Sequence, residues 1–408
     1  MFFQDYNTDL DYKKLLVLSS VWIEPTSSAA GYRMLQLLTI FRNLGYVIHY
    51  ATPALKTGNE YTDDMETHCI TLNSNSFDEF VTKLEPAAVL YDRFMVEEQF
   101  GWRVRACFPE IMQVLDTEDL HFLRKARAKA INSGNTLNLY TEDCKREIAS
   151  ILRCDLTVMI SQFEIKLLED KFQIAADQLV YLPFIYEPES KRVGGYDSRK
   201  NFLSIGGFMH APNMDAVRQL KKLWPEIRKK TGAEIHLYGS YAGPEALQMN
   251  DPKTGFLVKG RAETVDPLMN SYRVLLAPLR FGAGQKGKLF DALKGGMPSV
   301  TTFVGVEGML EDDQHWAGMV TDTDDAFVEA AVNLYSDKVL WDNAAQNCER
   351  LLTENFSKNY ALNAERQIQA CEQNLLGHRQ RFFVGEVMKT DQQARYKYLS
   401  KYIEQKNR

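Results

Sequence analysis

APLRFGAGQKGKLFDALKGGMPSVTTFVGVEG, residues 277–308, runs through a strand, a glycine-rich loop, a helix, a tight turn and a second strand. That succession is one βα unit of a parallel sheet. Lys286 and Lys288 stand where the helix begins. Amides at a helix start carry partial positive charge and point outward, so they bind phosphate. Gly282, Gly284 and Gly287 let that backbone approach an anion with no Cβ in the way. Asp291, one turn inside the helix, can accept hydrogen bonds from a sugar hydroxyl. The local chemistry points to a nucleoside diphosphate held by amides and lysines, with a carboxylate beside the ribose. The bland alternative is a strand-to-helix turn that uses glycine for geometry alone. Two lysines at a helix N-terminus oppose the dipole unless an anion sits there, and that sign favours phosphate.

The same unit recurs outward in both directions. Strand-length apolar runs fall at Lys14–Trp22, Tyr46–Thr52, His68–Leu72, Ala87–Asp92, Ile111–Asp116, Asp155–Ser161 and Leu179–Phe184. Helix-length segments separate them, such as Gly31–Leu44 with Met34, Leu35, Leu38 and Phe41 at helical spacing. A polar stretch at 187–200, EPESKRVGGYDSRK, reads as a linker. The pattern then restarts, with strands at Asn201–Gly207, Glu234–Gly239, Gly255–Lys259, Arg273–Leu279, Ser299–Phe303 and Gly318–Thr321. Helices are expected at Asn213–Lys229, Pro267–Tyr272, Lys286–Gly295 and Asp325–Tyr335, and from Lys338 towards Leu375. Two doubly wound α/β domains follow, with ligands expected at the carboxyl ends of the strands. From Gly377 the chain turns helical and basic, with Tyr396, Tyr398, Leu399, Tyr402 and Ile403. One reading packs it back across the first domain; another is a basic amphipathic surface touching anionic lipid.

Bulk properties narrow the class. The chain has 408 residues, 45% of them hydrophobic and 25% charged, room for two soluble domains. Its 48 basic residues against 54 acidic ones give a net charge of −6, so no global field favours nucleic acid. Basic runs such as Arg124-Lys125-Ala126-Arg127 read as solvated helix faces. The six cysteines are scattered, with no CxxC pair and no metal-ligand spacing, and read as inert thiols of a reducing compartment. The opening MFFQDYNTDL lacks the apolar core of a secretory signal, and no stretch reaches transmembrane length. A cytoplasmic protein is the expectation.

Several blocks, in this order, resemble the glycosyltransferases of the GT-B fold, within the large retaining group called family 4 (glycosyl transferases group 1). Asn201–Phe208 followed by Ala211-Pro212-Asn213 is similar to the block that opens the family's donor domain. The strand Arg273–Pro278, the loop Phe281–Lys288, then Asp291-Ala292-Leu293 and Gly295-Gly296-Met297-Pro298, resemble its nucleotide-sugar site. Ser27–Gly31 resembles the glycine-containing loop of the acceptor domain. The resemblance implies two Rossmann-like domains facing across a cleft: an acceptor-binding domain at 1–186, the linker at 187–200, and a nucleotide-sugar domain at 201–375. A helical extension at 376–408 would pack back on the first domain. The family often carries two glutamates eight positions apart. Here the later is Asp291 and the earlier is Ala283, the pattern of a GAG-x-K-G-K subset in which lysine takes over part of the phosphate contact. The donor sugar therefore does not carry over.

On this reading Gly206, Gly207, His210, Arg261, Gly284, Gln285, Lys286, Gly287, Lys288 and Asp291 bind the donor, and Arg261 with Gly260 lies near the base. Ser28, Gly31 and Asp92 bind the acceptor. Asp116, His121 and Lys286 are the catalytic candidates, though Thr117 or Asp119 could instead cap the helix that starts there. Asp322-Thr323-Asp324 has the DxD form of a metal holder, but with no partnering ligands it reads as a surface loop. Glu307 either contacts the donor or caps a turn. No metal and no other cofactor is expected; the partners are a nucleotide sugar and a glycan, lipid-linked or protein acceptor, with peripheral membrane contact open and nucleic acid excluded. Two competitors stand. Gly282-x-Gly284-x-x-Gly287 matches a dinucleotide fingerprint, which would make an NAD(P)-dependent oxidoreductase. The absent first glutamate would suit a sugar-nucleotide-binding partner without turnover.

Overall fold

A computed structural model describes residues 13–25, 29–56, 58, 60–188, 194–311, 313–390, 398, 402 and 406. The first half runs β1 (Lys13–Leu18), α1 (Ala29–Asn43), β2 (Tyr46–Thr52), β3 (Glu66–Cys69), α2 (Ser76–Leu84), β4 (Ala88–Asp92), α3 (Phe94–Cys107) and β5 (Met112–Asp116). It continues with α4 (His121–Ser133), α5 (Glu142–Arg153), β6 (Leu156–Met159), α6 (Gln162–Phe172) and β7 (Leu179–Tyr181). The second half begins with β8 (Lys200–Ile205), α7 (Ala211–Thr231), β9 (Ile235–Tyr238), α8 (Pro244–Gln248), β10 (Phe256–Gly260), α9 (Asp266–Ser271) and β11 (Tyr272–Ala277). Then come α10 (Gly287–Lys294), β12 (Ser299–Thr301), α11 (Phe303–Val306), β13 (Gly318–Val320), α12 (Asp324–Ser336), α13 (Lys338–Asn355), α14 (Asn359–Gln373), α15 (Leu375–Arg381) and α16 (Phe383–Lys389).

Both sheets are wholly parallel. The first has the order β3-β2-β1-β4-β5-β6-β7, the second β10-β9-β8-β11-β12-β13. Parallel strands are covered on both faces and so read as unbroken apolar runs. AVLYD of β4 and MQVLD of β5 are buried at every position. Leu15 and Val17 of β1 face α1, packing with Met34, Leu37, Leu38 and Phe41. Leu16 and Leu18 face the other way, towards Phe77 and Val81 of α2. The strand order reverses between β1 and β4 and again between β8 and β11. Each reversal opens a crevice at the carboxyl ends of the strands, where ligands of such sheets bind.

The helix expected from Lys338 towards Leu375 is two helices. Phe356 is fully buried between the domains' ends, and Ser357 Oγ accepts from the Asn359 amide to start α14. Helix α14 then packs its Ala364, Ile368 and Cys371 into the first domain's core. The chain therefore returns to the first domain at Asn359, earlier than the expected boundary at residue 376. Arg379 of α15 anchors the return, donating through Nε to Asp155 Oδ1 at 2.8 Å and through Nη2 to Asp155 Oδ2 at 2.9 Å. Burial opposes ionisation of Asp155, but the Arg379 bonds and the Lys389 charge outweigh it and hold the carboxyl below its usual range. Helices α15 and α16 thus pack on the first domain. Tyr398 and Tyr402 are exposed, while Tyr396, Leu399 and Ile403 lie outside the described residues.

Candidate active site

The carboxyl ends of β1, β4 and β5 bring three polar side chains into one buried string. Ser19 donates to Asp92 Oδ2 at 2.5 Å, and Asp92 and Asp116 are register partners on neighbouring strands. Arg33, fully buried on α1, donates to Asp116 Oδ1 at 3.0 Å. Asp116 Oδ2 and Asp92 Oδ1 have no hydrogen-bond partner, although Arg93 Nε stands 3.6 Å from the latter. Burial pushes the Asp116 carboxyl up and Arg33 pulls it back. Arg93 (φ 75°) and Glu118 (φ 60°) occupy the left-handed region just after these strand ends. Such strain costs about 1–3 kcal/mol per residue and persists where its surroundings over-determine it.

Neither Thr117 nor Asp119 caps the helix beside this string. The first amides of α4, those of His121 and Phe122, are taken by the buried Glu147 at 3.1 and 2.8 Å. Asp119 is free to face the second domain. It pairs with Arg124, and its Oδ1 lies 3.4 Å from His121 Nε2. Desolvation pushes the His121 imidazole down to about 4.

Across the gap, the glycine loop spends its freedom on protein contacts. A Cβ on Gly284 (φ 63°) would meet Asp119 Cβ at 2.9 Å, and one on Gly287 would meet Ala29 Cβ at 2.3 Å. The Gly284 amide donates to Glu164 Oε1 at 2.7 Å, so a first-domain carboxylate already occupies that position of the anion cradle. Burial pushes Glu164 up to about 7, with Asp119 adding to it. These glycines therefore do not form the pyrophosphate turn of a dinucleotide fold, and the oxidoreductase reading loses its motif. Gln285 bridges the domains, accepting from the Phe184 amide at 3.1 Å and donating to Gly308 O at 2.7 Å. Ala283 packs into the first domain's apolar cluster, which explains why a glutamate does not stand there.

The two lysines part company. Lys286 is 8% exposed, donates to Gly284 O at 2.6 Å and lies among Glu307, Glu164 and Arg127. Burial pushes it down to about 8, against the pull of Glu307 and Glu164. Lys288 points instead to the loop after β8. Its Nζ donates to Asn213 Oδ1 at 2.7 Å, and Asn213 Nδ2 donates to Gly207 O at 3.0 Å. Lys288 forms no ion pair with any described residue, and desolvation alone pushes its ammonium down to about 8. Gly206 takes φ 154°, where a Cβ would strike the Asn213 side chain at 2.7 Å. His210 caps this corner at the start of α7. Desolvation of the gap disfavours its imidazolium, and Arg124 and Lys288 add their repulsion. The loop after β8, the start of α7 and the start of α10 thus converge on one electropositive corner.

The remaining candidates scatter. Asp291 pairs with Lys294 at 3.0 Å, and burial raises its carboxyl. Arg261 is exposed at the carboxyl end of β10, away from the Lys288 corner in strand order. Gly31 serves packing, because a Cβ there would meet Glu24 O at 2.5 Å. Ser28 lies outside the described residues. Asp322–Asp324 is a surface loop in which Asp322 Oδ1 takes the Phe303 amide, Thr323 caps α12, and Asp324 Oδ2 pairs with the exposed Lys222. Glu307 is the C-cap residue of α11, its amide donating to Phe303 O, while its side chain faces the first domain. Both its oxygens accept from Arg127, at 2.7 and 2.8 Å, and Arg127 also donates to Gly282 O. Arg127 is therefore an interdomain residue and not part of a solvated face, while Arg124 pairs within its own domain with Asp119. Arg33, Glu164 and Arg127 carry no local sequence signal, since their partners lie 44 to 180 positions away.

Comparison with known proteins agrees with this geometry. Residues 199–337 match the family model described as Glycosyl transferases group 1. No curated protein is matched by the sequence. Among solved structures, a TarM variant from S. aureus in complex with fondaparinux, alpha-GlcNAc-glycerol and UDP has a TM-score of 0.69 at 9% identity, covering 86% of this chain and 98% of that one. Sucrose-phosphate synthase from Thermosynechococcus elongatus also reaches 0.69, at 13% identity over 90% of this chain and 100% of its own. HepE from Anabaena, in complex with UDP and glucose, gives 0.62 at 13% identity over 89% and 100%. The chain therefore has the GT-B fold, and its second domain is the part that matches the group 1 glycosyl transferases.

Proposed function

We propose that this protein is a glycosyltransferase that moves a sugar from a nucleoside diphosphate sugar to an acceptor hydroxyl. The single observation behind this reading is Lys288: a desolvated ammonium, bonded only to a neutral amide, at the meeting of two loops and two helix starts. Burying an unpaired cation is costly unless an anion arrives to pair with it. A diphosphate supplies that anion, and Lys288, the α10 amides and the Gly206–Gly207 backbone would stabilise it as it leaves. In this reading positive side chains take the role that a metal serves elsewhere. Uridine is the base we favour, because UDP occupies two of the similar structures.

The first domain would hold the acceptor at the Ser19, Asp92 and Asp116 string. Asp116, fixed by Arg33 with one oxygen unpartnered, is the carboxylate offered to the sugar or the acceptor. His121, neutral at pH 7, is the second proton-accepting group at that rim. We assign Lys286 to holding the loop and not to the leaving group. The resemblance to family 4 implies retention, so an α-linked donor would give an α-linked product. We place the reaction in the cytoplasm, with a glycan, lipid-linked or protein acceptor. Phe383, Val384 and Val387, exposed on α16, offer a peripheral membrane contact, which co-sedimentation with anionic vesicles would detect.

Thermal unfolding in the presence of UDP, GDP, ADP and NADH tests the central claim. Stabilisation by a nucleoside diphosphate, lost in Lys288→Ala, is the expected result. Stabilisation by NADH alone would overturn it.

A further inference from the structure

Strands β2 and β3 pair in parallel with His49 opposite Glu66 and Ala51 opposite His68. Side chains two apart on a strand share a face, so His49, Glu66 and His68 all project from the same side of the sheet edge. Their ligand atoms converge. His49 Nδ1 lies 3.1 Å from His68 Nε2 and 3.4 Å from Glu66 Oε2, and one ligand atom from each falls within 4.8 Å of the others. Four ligands around a tetrahedral zinc at about 2.0–2.1 Å stand roughly 3.3 Å apart, so two of the three separations already match. No other such group of three occurs among the described residues.

We propose that His49, Glu66 and His68 form a zinc site that clips the edge strand β3 to β2. Two neutral imidazoles and one carboxylate are a ligand set of zinc and its neighbours, unsuited to magnesium or calcium. The burial pattern fits a site open on one side. His49 is 5% exposed, whereas the Glu66 side chain is 66% exposed and leaves room for water as the fourth ligand. Phe80 of α2 packs against the His68 ring at 4.9 Å between centroids and fixes its plane. Cys69 follows His68 directly and therefore projects from the opposite face, so it is not the fourth ligand. Lys14 on β1 donates to Leu84 O at 3.0 Å. Burial disfavours the His49 imidazolium, and the charges of His68 and Lys14 add to that. The site is separate from the candidate active site, which uses the ends of β1, β4 and β5. Its role is structural: β3 has four residues and a single strand neighbour, and a metal across it replaces the packing that a sheet edge lacks.

The test uses the whole protein, stripped with a chelator and dialysed. Zinc chloride is titrated in competition with a chromophoric chelator, and cobalt(II) is added separately to read its ligand-field bands. One equivalent of zinc bound, intense tetrahedral cobalt bands and a rise in unfolding temperature are the expected results. His68→Gln and Glu66→Gln each remove a direct ligand and should weaken binding by at least the roughly 10–100-fold that loss of an outer-shell partner costs. Both positions are less buried than His49, so these variants fold even if His49→Ala does not. Absence of stoichiometric zinc binding, or binding that survives His68→Gln unchanged, would overturn the proposal.

Discussion

Lys288 sets the strongest expectations at the scale of one residue. Its ammonium is pushed down to about 8 by desolvation, against an ordinary value near 10.5. A lysine whose folded pKa is depressed destabilises the fold while protonated, and the penalty fades as pH rises through the folded value. Lys288→Met should therefore raise the unfolding temperature of the unliganded protein by a few degrees at pH 7. The same variant should lose the stabilisation that UDP gives the parent. Calorimetry with and without nucleotide reads both, and a variant that still responds to UDP would remove Lys288 from the site. The pH dependence of binding has a definite sign. A bound diphosphate raises the ammonium's pKa, so affinity is fully present below about 8 and falls above it, by up to tenfold per pH unit. Titration calorimetry from pH 7 to 9.5 should show that decline in the parent, and a flat profile in Lys288→Met.

At the scale of elements, α4 depends on a carboxylate from another helix. Glu147 of α5 accepts both leading amides of α4, and burial pushes it up to about 8. A carboxyl raised in the folded state favours folding when protonated, so its contribution declines as pH rises from about 4.5 through 8. Glu147→Ala leaves two buried amides unsatisfied and should cost about 1–3 kcal/mol in urea unfolding. Glu147→Gln keeps an acceptor without the charge, and at pH 9 it should equal or exceed the parent. A Gln variant as unstable as Ala at pH 9 would contradict this account. This cap also marks where the sequence stops being legible. The central strands could be read, because LLVL, AVLY and VLD are buried on both faces and announce themselves as apolar runs. The half-exposed edge strand β3, by contrast, runs Glu66–Cys69 and not His68–Leu72 as expected. Glycines after β8 and β11 marked the loops that reach the interdomain gap, but not that Gly284 and Gly287 face protein. Thr117 and Asp119 had the right chemistry to cap α4, and only tertiary structure brings in Glu147. Likewise nothing local in Phe356-Ser357-Lys358 reveals that the chain crosses there between domains.

For the whole molecule, the decisive contact is the clasp between Arg127 of α4 and Glu307, which follows α11. It is bidentate, each side chain is 15% exposed, and Arg127 also holds Gly282 O at the base of the loop. With the Glu164 bond to the Gly284 amide, it fixes the second domain's loop against the first domain's α4 and α6. A transferase must open to exchange nucleotide and close to exclude water, so such contacts weigh one state against the other. Arg127→Met removes the clasp and the Gly282 contact together; Glu307→Gln removes only the ion pair. A double-mutant cycle on unfolding should give a coupling of about 1–2 kcal/mol. In solution scattering, Arg127→Met should enlarge the radius of gyration of the unliganded protein, and UDP should reverse part of that change. Turnover should fall more than nucleotide affinity, because the corner around Lys288 is untouched while its alignment with Asp116 is not. If radius and turnover both match the parent, the clasp is a passive surface pair and domain closure is held by the glycine packing alone.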